Sequence, residues 1–122
     1  MKSKQDPEYI KEFKNNCREK RLAEVHFIKD NYNDKRVPII VDTFETKLNL
    51  KKHKYLVPKD LIMSNFFSFL RKKILLDKKD AIFILCNNKL VNMNSTLGEI
   101  YNTEKDNDNF LYFILTIENA FG

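Results

Sequence analysis

The sequence predicts one α+β domain: a four-stranded mixed sheet with a helix across it, preceded by a helical extension. Three observations carry this expectation. Apolar residues in the first third recur at close to helical spacing. Four later runs read as strands, each rich in β-branched or aromatic residues. Between the second and third of them lies an amphipathic stretch able to cover the apolar side of a sheet. At 122 residues the chain has room for one core and little more.

The elements follow in order. Asp6-Pro7-Glu8 offers an N-cap, a proline at the first helical position and an acid in the first turn. Ile10, Phe13, Cys17, Val25, Ile28 and Tyr32 then mark an apolar stripe, broken by the charged Arg18-Glu19-Lys20-Arg21. That pattern fits one long helix or two with a kink. Asn31 to Arg36 is a polar, turn-rich linker. Val37-Pro38-Ile39-Ile40-Val41 is the first strand and Lys54-Tyr55-Leu56-Val57-Pro58 the second. Leu61 to Ile74 is helical, with Phe66, Phe69, Leu70 and Ile74 on one face and Arg71-Lys72-Lys73 near the dipole's negative end. Ala81 to Cys86 and Phe110 to Ile117 are continuous apolar runs, expected of central strands, with a short helix from Thr96 to Tyr101 between them. Such an order describes a β-grasp, or ubiquitin-like, domain. Residues 1–34 are then a helical extension, 35–117 the β-grasp core and 118–122 a flexible tail.

Composition excludes several functions. Glycine occurs twice, at Gly98 and Gly122, so there is no glycine-rich phosphate loop, dinucleotide turn or nucleophile elbow. Two histidines and two distant cysteines offer no zinc ligand set, and no cofactor is expected. Cys17 and Cys86 fit a reducing compartment rather than a disulfide scaffold. No apolar run approaches a membrane span, and the charged N-terminus does not read as a signal peptide. Net charge is +5, almost all from 18 lysines against 4 arginines. This reads as a solvated lysine-rich surface, or as one that attracts acidic peptides or anionic lipid; nucleic acid is not expected as a partner.

Specific residues then narrow the reading. Lys54-Tyr55-Leu56-Val57-Pro58 is followed by Asp60-Leu61, Phe66 and Arg71-Lys72-Lys73-Ile74. Val37-Pro38-Ile39-Ile40-Val41, Ala81-Ile82-Phe83, Asn87-Asn88, Phe110-Leu111-Tyr112 and Glu118-Asn119-Ala120-Phe121-Gly122 stand in order around them. With these boxes the chain from about Arg21 onward resembles the autophagy-related protein 8 family of ubiquitin-like modifiers, which includes the GABA-receptor-associated protein and the microtubule-associated protein light chains.

The resemblance implies a non-enzymatic tag and adaptor. Gly122 would be conjugated to phosphatidylethanolamine through thioesters on an activating and a conjugating enzyme, and released by a delipidating cysteine protease. Glycine lets such a tail enter a narrow channel, and a two-chain lipid product anchors stably. Most members of that family carry residues beyond this glycine that a cysteine protease removes; the resemblance therefore implies either a product that needs no such processing or an end at Gly122 already trimmed to the mature form. The free form is expected in the cytoplasm and the lipidated form on autophagosome or related vesicle membranes. The AT-rich composition leans toward a parasite source, which would add a relic plastid membrane.

The resemblance also implies docking of peptides with an aromatic residue, two spacers and an aliphatic residue, as an added strand with two side chains in pockets. Glu24, Ile28, Pro38, Ile40, Lys54, Leu56 and Phe110 would wall the aromatic pocket. Tyr55, Val57, Pro58, Leu61, Phe66 and Phe69 would form the aliphatic one. Arg36, Lys52, Lys54 and Arg71 would attract acidic flanks of motif-bearing receptors. Phe69 is bulkier than the family's usual aliphatic residue, which implies a shallower pocket. Departures near the N-terminus imply a remodelled first helix, fused with the second in one reading.

Other readings stay beside this one. Leu56, Ile40 and Phe66 would be core in any α+β domain, whereas Tyr55 alternates away from Leu56. Lys51-Lys52-His53-Lys54 reads as a solvated edge that discourages aggregation. His53 reads as a surface residue, His26 as unpartnered, Cys86 as buried and inert, and Cys17 as helix packing. The rival functions are a non-conjugated β-grasp peptide adaptor and purely electrostatic binding through lysines.

Overall fold

The computed structural model describes residues 6–74 and 81–117. Two helices come first, α1 (Glu8–Lys14) and α2 (Arg18–Asn31), followed by strand β1 (Arg36–Thr43) and a single 3-10 turn at Thr46–Leu48. Then come β2 (Lys54–Pro58), α3 (Met63–Lys73), β3 (Ile82–Cys86), β4 (Lys89–Leu90), α4 (Leu97–Glu104) and β5 (Leu111–Ile117). The sheet order is β2-β1-β5-β3-β4. Its centre is a parallel pair, with Ile39 opposite Leu111 and Val41 opposite Phe113, and all other pairs are antiparallel. Among the described residues no helix is long and apolar enough to cross a membrane.

The sheet therefore has five strands where the sequence predicts four. The addition is β4, which closes a two-residue hairpin on β3 through Asn87 and Asn88, both at positive φ. That is the backbone of the tight hairpin turn that glycine usually supplies. Asparagine tolerates the left-handed region better than other side chains. The described positive-φ residues are Asn33, Asp34, Asn49, Asn87, Asn88 and Asn109, so asparagine does the work of the missing glycines.

The N-terminal pattern resolves into two helices. Pro7, not Asp6, is the N-cap, and Asp6 instead lies 3.6 Å from the ammonium of Lys14. α1 ends at Asn15, and the chain turns through Asn16 to Cys17, the N-cap of α2. Cys17 is exposed, contrary to its expected packing role, because the kink takes it off the apolar stripe. α3 begins two residues later than expected and ends one earlier. α4 runs three residues past Tyr101 and is opened by a capping box, Thr96 with Glu99, that satisfies two free backbone donors.

Burial explains the sequence patterns strand by strand. Residues 37–42 of β1 are all buried, because helices cover both of its faces. Val37, Ile39 and Val41 join the main core with Met63, Phe66 and Leu70 of α3. Ile40 joins a second cluster with Ile10, Phe13, Val25 and Phe110, under α1 and α2. β3 differs from the expectation of a strand buried on both faces. Ile82, Ile84 and Cys86 are buried while Phe83 and Leu85 are half-buried, so only one face is fully packed. Gly98 has its own structural reason. Its N–H donates to the carbonyl of Lys59 at 2.8 Å, and a Cβ there would sit 3.1 Å from that same oxygen.

Buried polar groups fix the N-terminal helices. Asp42 accepts from the N–H of Ile10 at 3.0 Å and of Thr43 at 2.8 Å, tying α1 to β1. His53, expected on the surface, is half-buried because its ring stacks on Tyr9 at 4.1 Å. Its Nδ1 lies 2.8 Å from the carbonyl of Val41. His26 has a partner after all, Asp30 one turn on at 3.5 Å, on an exposed face. Asp108, with no exposed surface, accepts from Arg21 of α2, from the Tyr112 hydroxyl and from the N–H of Phe110.

Candidate functional site: the cleft beside the free sheet edge

β2 is an edge strand, and its register decides which groups face outward. Val41 N–H donates to His53 O at 2.8 Å, and Lys59 N–H to Lys35 O at 3.0 Å. In an antiparallel ladder these pairs recur every second residue, so Tyr55 and Val57 turn their backbone groups to β1. Lys54 and Leu56 turn theirs away from the sheet. The Leu56 carbonyl accordingly accepts from Arg36 Nη1 at 3.2 Å. Side chains alternate as well. Tyr55 and Val57 are buried in the main core, whereas Leu56 is half-buried on the α2 side. Of the pair, Tyr55 is the core residue, and Leu56 is not.

Between α2 and β2 runs a cleft of about 660 Å³. Leu56, Ile28 and Phe110 give it apolar walls, and Phe27 and Tyr32 extend the α2 side. Glu24 and Lys54 meet across it at 2.8 Å. Arg36 and Lys52 add positive charge at its edges, the guanidinium 5.7 Å from the Tyr32 ring centre and the ammonium 4.9 Å from that of Tyr55. Burial of the Tyr55 ring pushes its hydroxyl pKa up, so the phenol stays neutral through ordinary pH.

The structure thus brings Glu24, Ile28, Lys54, Leu56 and Phe110 of the expected aromatic pocket to one cleft. It does not bring Pro38 and Ile40 to the lining. Both are buried; they pair with Leu56 and Lys54 on the ladder, and Ile40 packs under α1. Sequence reasoning missed Phe27, Tyr32 and Ile39 as lining residues. The signal for Phe27 was present: it is a large apolar residue out of phase with the Val25–Ile28 stripe.

The expected aliphatic set is largely core. Tyr55, Val57 and Phe66 are buried, Leu61 is half-buried, and Pro58 and Phe69 are exposed. The Tyr55 ring meets Phe66 edge-on at 5.7 Å and Phe69 at 6.1 Å, so the three rings form one cluster with Phe69 outermost. Tyr55 also borders a second cavity of about 240 Å³, whose cationic walls are Lys51, Lys52 and Lys73. Arg71 is exposed at the end of α3. Gly122, the expected conjugation residue, lies outside the described residues.

The buried cysteine is not set up as a nucleophile. Burial, with the charge of Glu104 adding to it, pushes the Cys86 thiol up to about 12. Cys17 is exposed at the N-cap of α2. The arrangement as a whole combines an edge strand with outward backbone groups, an apolar cleft and a positive border.

Comparison with known proteins supplies the context. The family described as "Autophagy protein Atg8 ubiquitin like" matches residues 20–122. The chain is 42% identical over 106 residues to Autophagy-related protein 8e of Arabidopsis thaliana, covering 85% of this chain and 86% of that protein. It is 34% identical to Autophagy-related protein 8h of the same plant, over 93% of this chain and 97% of the relative. A crystal structure of Trypanosoma brucei ATG8 superposes with a TM-score of 0.76 at 29% identity, covering 93% of this chain and 97% of that one.

Proposed function

The chain belongs to the Atg8 family of ubiquitin-like autophagy proteins, and from that membership we propose that it is a lipid-conjugated docking adaptor. Its Gly122 carboxylate becomes an amide of phosphatidylethanolamine, after activating and conjugating enzymes have carried it as a thioester. A delipidating cysteine protease reverses the step. The free form is cytoplasmic; the lipidated form works on autophagosome or related membranes, including a relic plastid if the source has one. The protein supplies no catalytic residues and needs no cofactor; it is the tag that other enzymes attach.

The docking half rests on one observation: the free edge of β2 lies beside an apolar cleft lined by Leu56, Ile28 and Phe110. A peptide strand can pair with the outward groups of Lys54 and Leu56 and lower an aromatic side chain into the cleft. Its aliphatic residue, two spacers on, would settle against Phe69, Leu61 and Pro58, over the ring cluster of Tyr55 and Phe66. Arg36, Lys52 and Arg71 favour acidic flanks, a contribution that weakens as salt rises.

Two experiments test the two halves. Incubation with the family's activating and conjugating enzymes, ATP and phosphatidylethanolamine vesicles should give a product of shifted mobility that disappears in Gly122→Ala. A product that survives the substitution, or none with the native chain, refutes conjugation and favours a non-conjugated adaptor. Titration with an aromatic-x-x-aliphatic peptide should show Leu56→Ala binding about tenfold more weakly, the loss expected for removing apolar contact at the centre of a small site. Equal affinity refutes the cleft as the docking site. Binding that collapses with salt but ignores Leu56 is the mark of lysine electrostatics alone.

A further inference from the structure

Charge is unevenly spread over the end of the sheet where β5 finishes. Its last residue, Ile117, lies opposite Ile82 at the start of β3. Leu115 pairs with Thr43 at the close of β1, and Val41 N–H donates to the carbonyl of His53 just before β2. The last turn of α3 joins this end, because Lys73 and Ile74 line one cavity with Leu50, Lys51 and Lys52.

Lys51, Lys52, Arg71, Lys72 and Lys73 are all exposed there. Among the described residues none of them is paired with a carboxylate, whereas Lys14, Arg21, Lys54, Lys59 and Lys89 each are. Across Leu50 the sign reverses. A cleft of about 410 Å³ beside α1 shares that leucine and is bordered by Asp6, Glu8, Asp42 and Glu45, with Lys11 and His53 among them. The excess positive charge is therefore confined to the corner between β2 and α3.

The chemistry of the corner and the length of the tail point to one occupant. Lysine is a compact, hydrated point charge without the planar fork that grips a single carboxylate. A cluster made mostly of lysines suits a diffuse negative surface, which demands no exact geometry. Residues 118–122 can reach no more than about 17 Å when fully extended. A lipid on Gly122 thus keeps the end of β5 within roughly two Debye lengths of a bilayer at physiological salt.

We propose that the corner formed by Lys51, Lys52 and the Arg71–Lys73 turn is a docking surface for anionic lipid headgroups. It rests on the conjugation reading for its place beside the tail, and adds to that reading the class of lipid the folded domain meets.

The test cosediments the unconjugated full chain with vesicles of phosphatidylcholine and phosphatidylethanolamine, with or without phosphatidylserine. The native protein should favour the vesicles that contain phosphatidylserine, and its bound fraction should fall as salt rises. A basic residue near an anionic surface is worth about 1 kcal/mol, or about fivefold in partition. Lys51→Gln, Lys72→Gln and Lys73→Gln combined should therefore weaken binding by at least about tenfold. The control removes the same charge from exposed lysines at the opposite end, as Lys20→Gln, Lys35→Gln and Lys105→Gln. There β1 and β5 begin, and Arg18 of α2 donates to the carbonyl of Asn107. This variant should lose no more than about threefold. Unchanged thermal midpoints show that both variants are folded, as expected for exposed side chains.

Equal losses in the two triple variants would mean that net charge alone is read, and overturn the corner. Equal binding with and without phosphatidylserine overturns it too. Capture of soluble polyglutamate with no binding to vesicles would assign the corner to acidic peptides instead. Enzymatic conjugation on the same vesicles separates the parent reading: no product on either refutes conjugation, while cosedimentation still decides the lipid surface.

Discussion

Asp108→Ala is expected to lower the free energy of unfolding by about 3–5 kcal/mol, the cost of removing one partner from a buried ion pair. The carboxylate has no exposed surface, and its Oδ2 lies 2.6 Å from Nη1 of Arg21, whose side chain is only 12% exposed. Its Oδ1 accepts from the N–H of Phe110 at 2.9 Å, and the Tyr112 hydroxyl donates to Oδ2. Truncation leaves three donors without an acceptor, one of them charged. The loss is set by those stranded groups, not by the net worth of the pair, so Arg21→Met in the same chain should recover part of it. Urea unfolding of the two single variants and the double variant measures this directly. Additive losses would mean that Arg21 and Asp108 do not act as a pair. The same network clamps α2 to the start of β5, and α2 supplies Glu24, Phe27 and Ile28 to the cleft, with Tyr32 at its C-cap. A structural acid away from the peptide edge therefore holds one wall of the proposed docking site.

Much of this architecture is written locally in the sequence. Val37 to Val41 and Lys54 to Pro58 mark strands because β-branched and aromatic side chains suit a half-buried pleated surface. Thr96 and Glu99 mark a helix start because they satisfy two donors at once. What escaped notice depends on backbone conformation or on distant partners. The Asn87-Asn88 hairpin hides behind residues that do not look like a glycine turn. His53 looks solvated among lysines, and only the fold brings Tyr9 to its ring. The break at Asn15 to Cys17 carries no proline or glycine, so the same spacing fitted one helix or two.

The site divides along the same line. Glu24, Ile28, Lys54, Leu56 and Phe110 meet in one cleft because strand alternation puts Lys54 and Leu56 on the α2 side. Pro38 and Ile40 share that side yet are buried, since α1 occupies the surface above Ile40 through Ile10 and Phe13. No pattern within β1 could have shown that cover. Phe27 was legible as an aromatic residue out of phase with its helix, but its place on the rim depends on the angle at which α2 crosses the sheet.

Alkaline unfolding should be steep, because several buried groups must stay protonated in the folded chain. Burial pushes the Cys86 thiol from an ordinary 9.0 up to about 12. Burial, with Asp34 and Asp108 adding negative charge, pushes the Tyr101 hydroxyl from 10.0 up to about 12. The Tyr112 hydroxyl is raised further, by burial first and then by its hydrogen bond to Asp108, and Tyr55 is raised by burial. The sign follows from linkage. Above the ordinary value the unfolded chain releases these protons while the folded chain keeps them, so stability falls as pH rises. The contribution is complete below about pH 9, begins to fade as the unfolded thiol ionises, and continues to fade toward pH 12 as the phenols follow. A tenfold change in proton affinity is worth about 1.4 kcal/mol, so the thiol alone can remove up to roughly 4 kcal/mol, a large part of a small domain's stability. The tyrosines add to that loss by smaller amounts, since solvent near a phenolate screens its cost. Urea midpoints measured across a range from about pH 8 to about pH 11.5 should stay level to about pH 9 and then drop. Cys86→Val, which replaces the thiol with an apolar side chain in the same strand, should remove the earliest part of the drop and leave the later part to the tyrosines. A level profile to about pH 11, or a drop whose onset is the same with and without the thiol, would show that these groups do not set the alkaline limit.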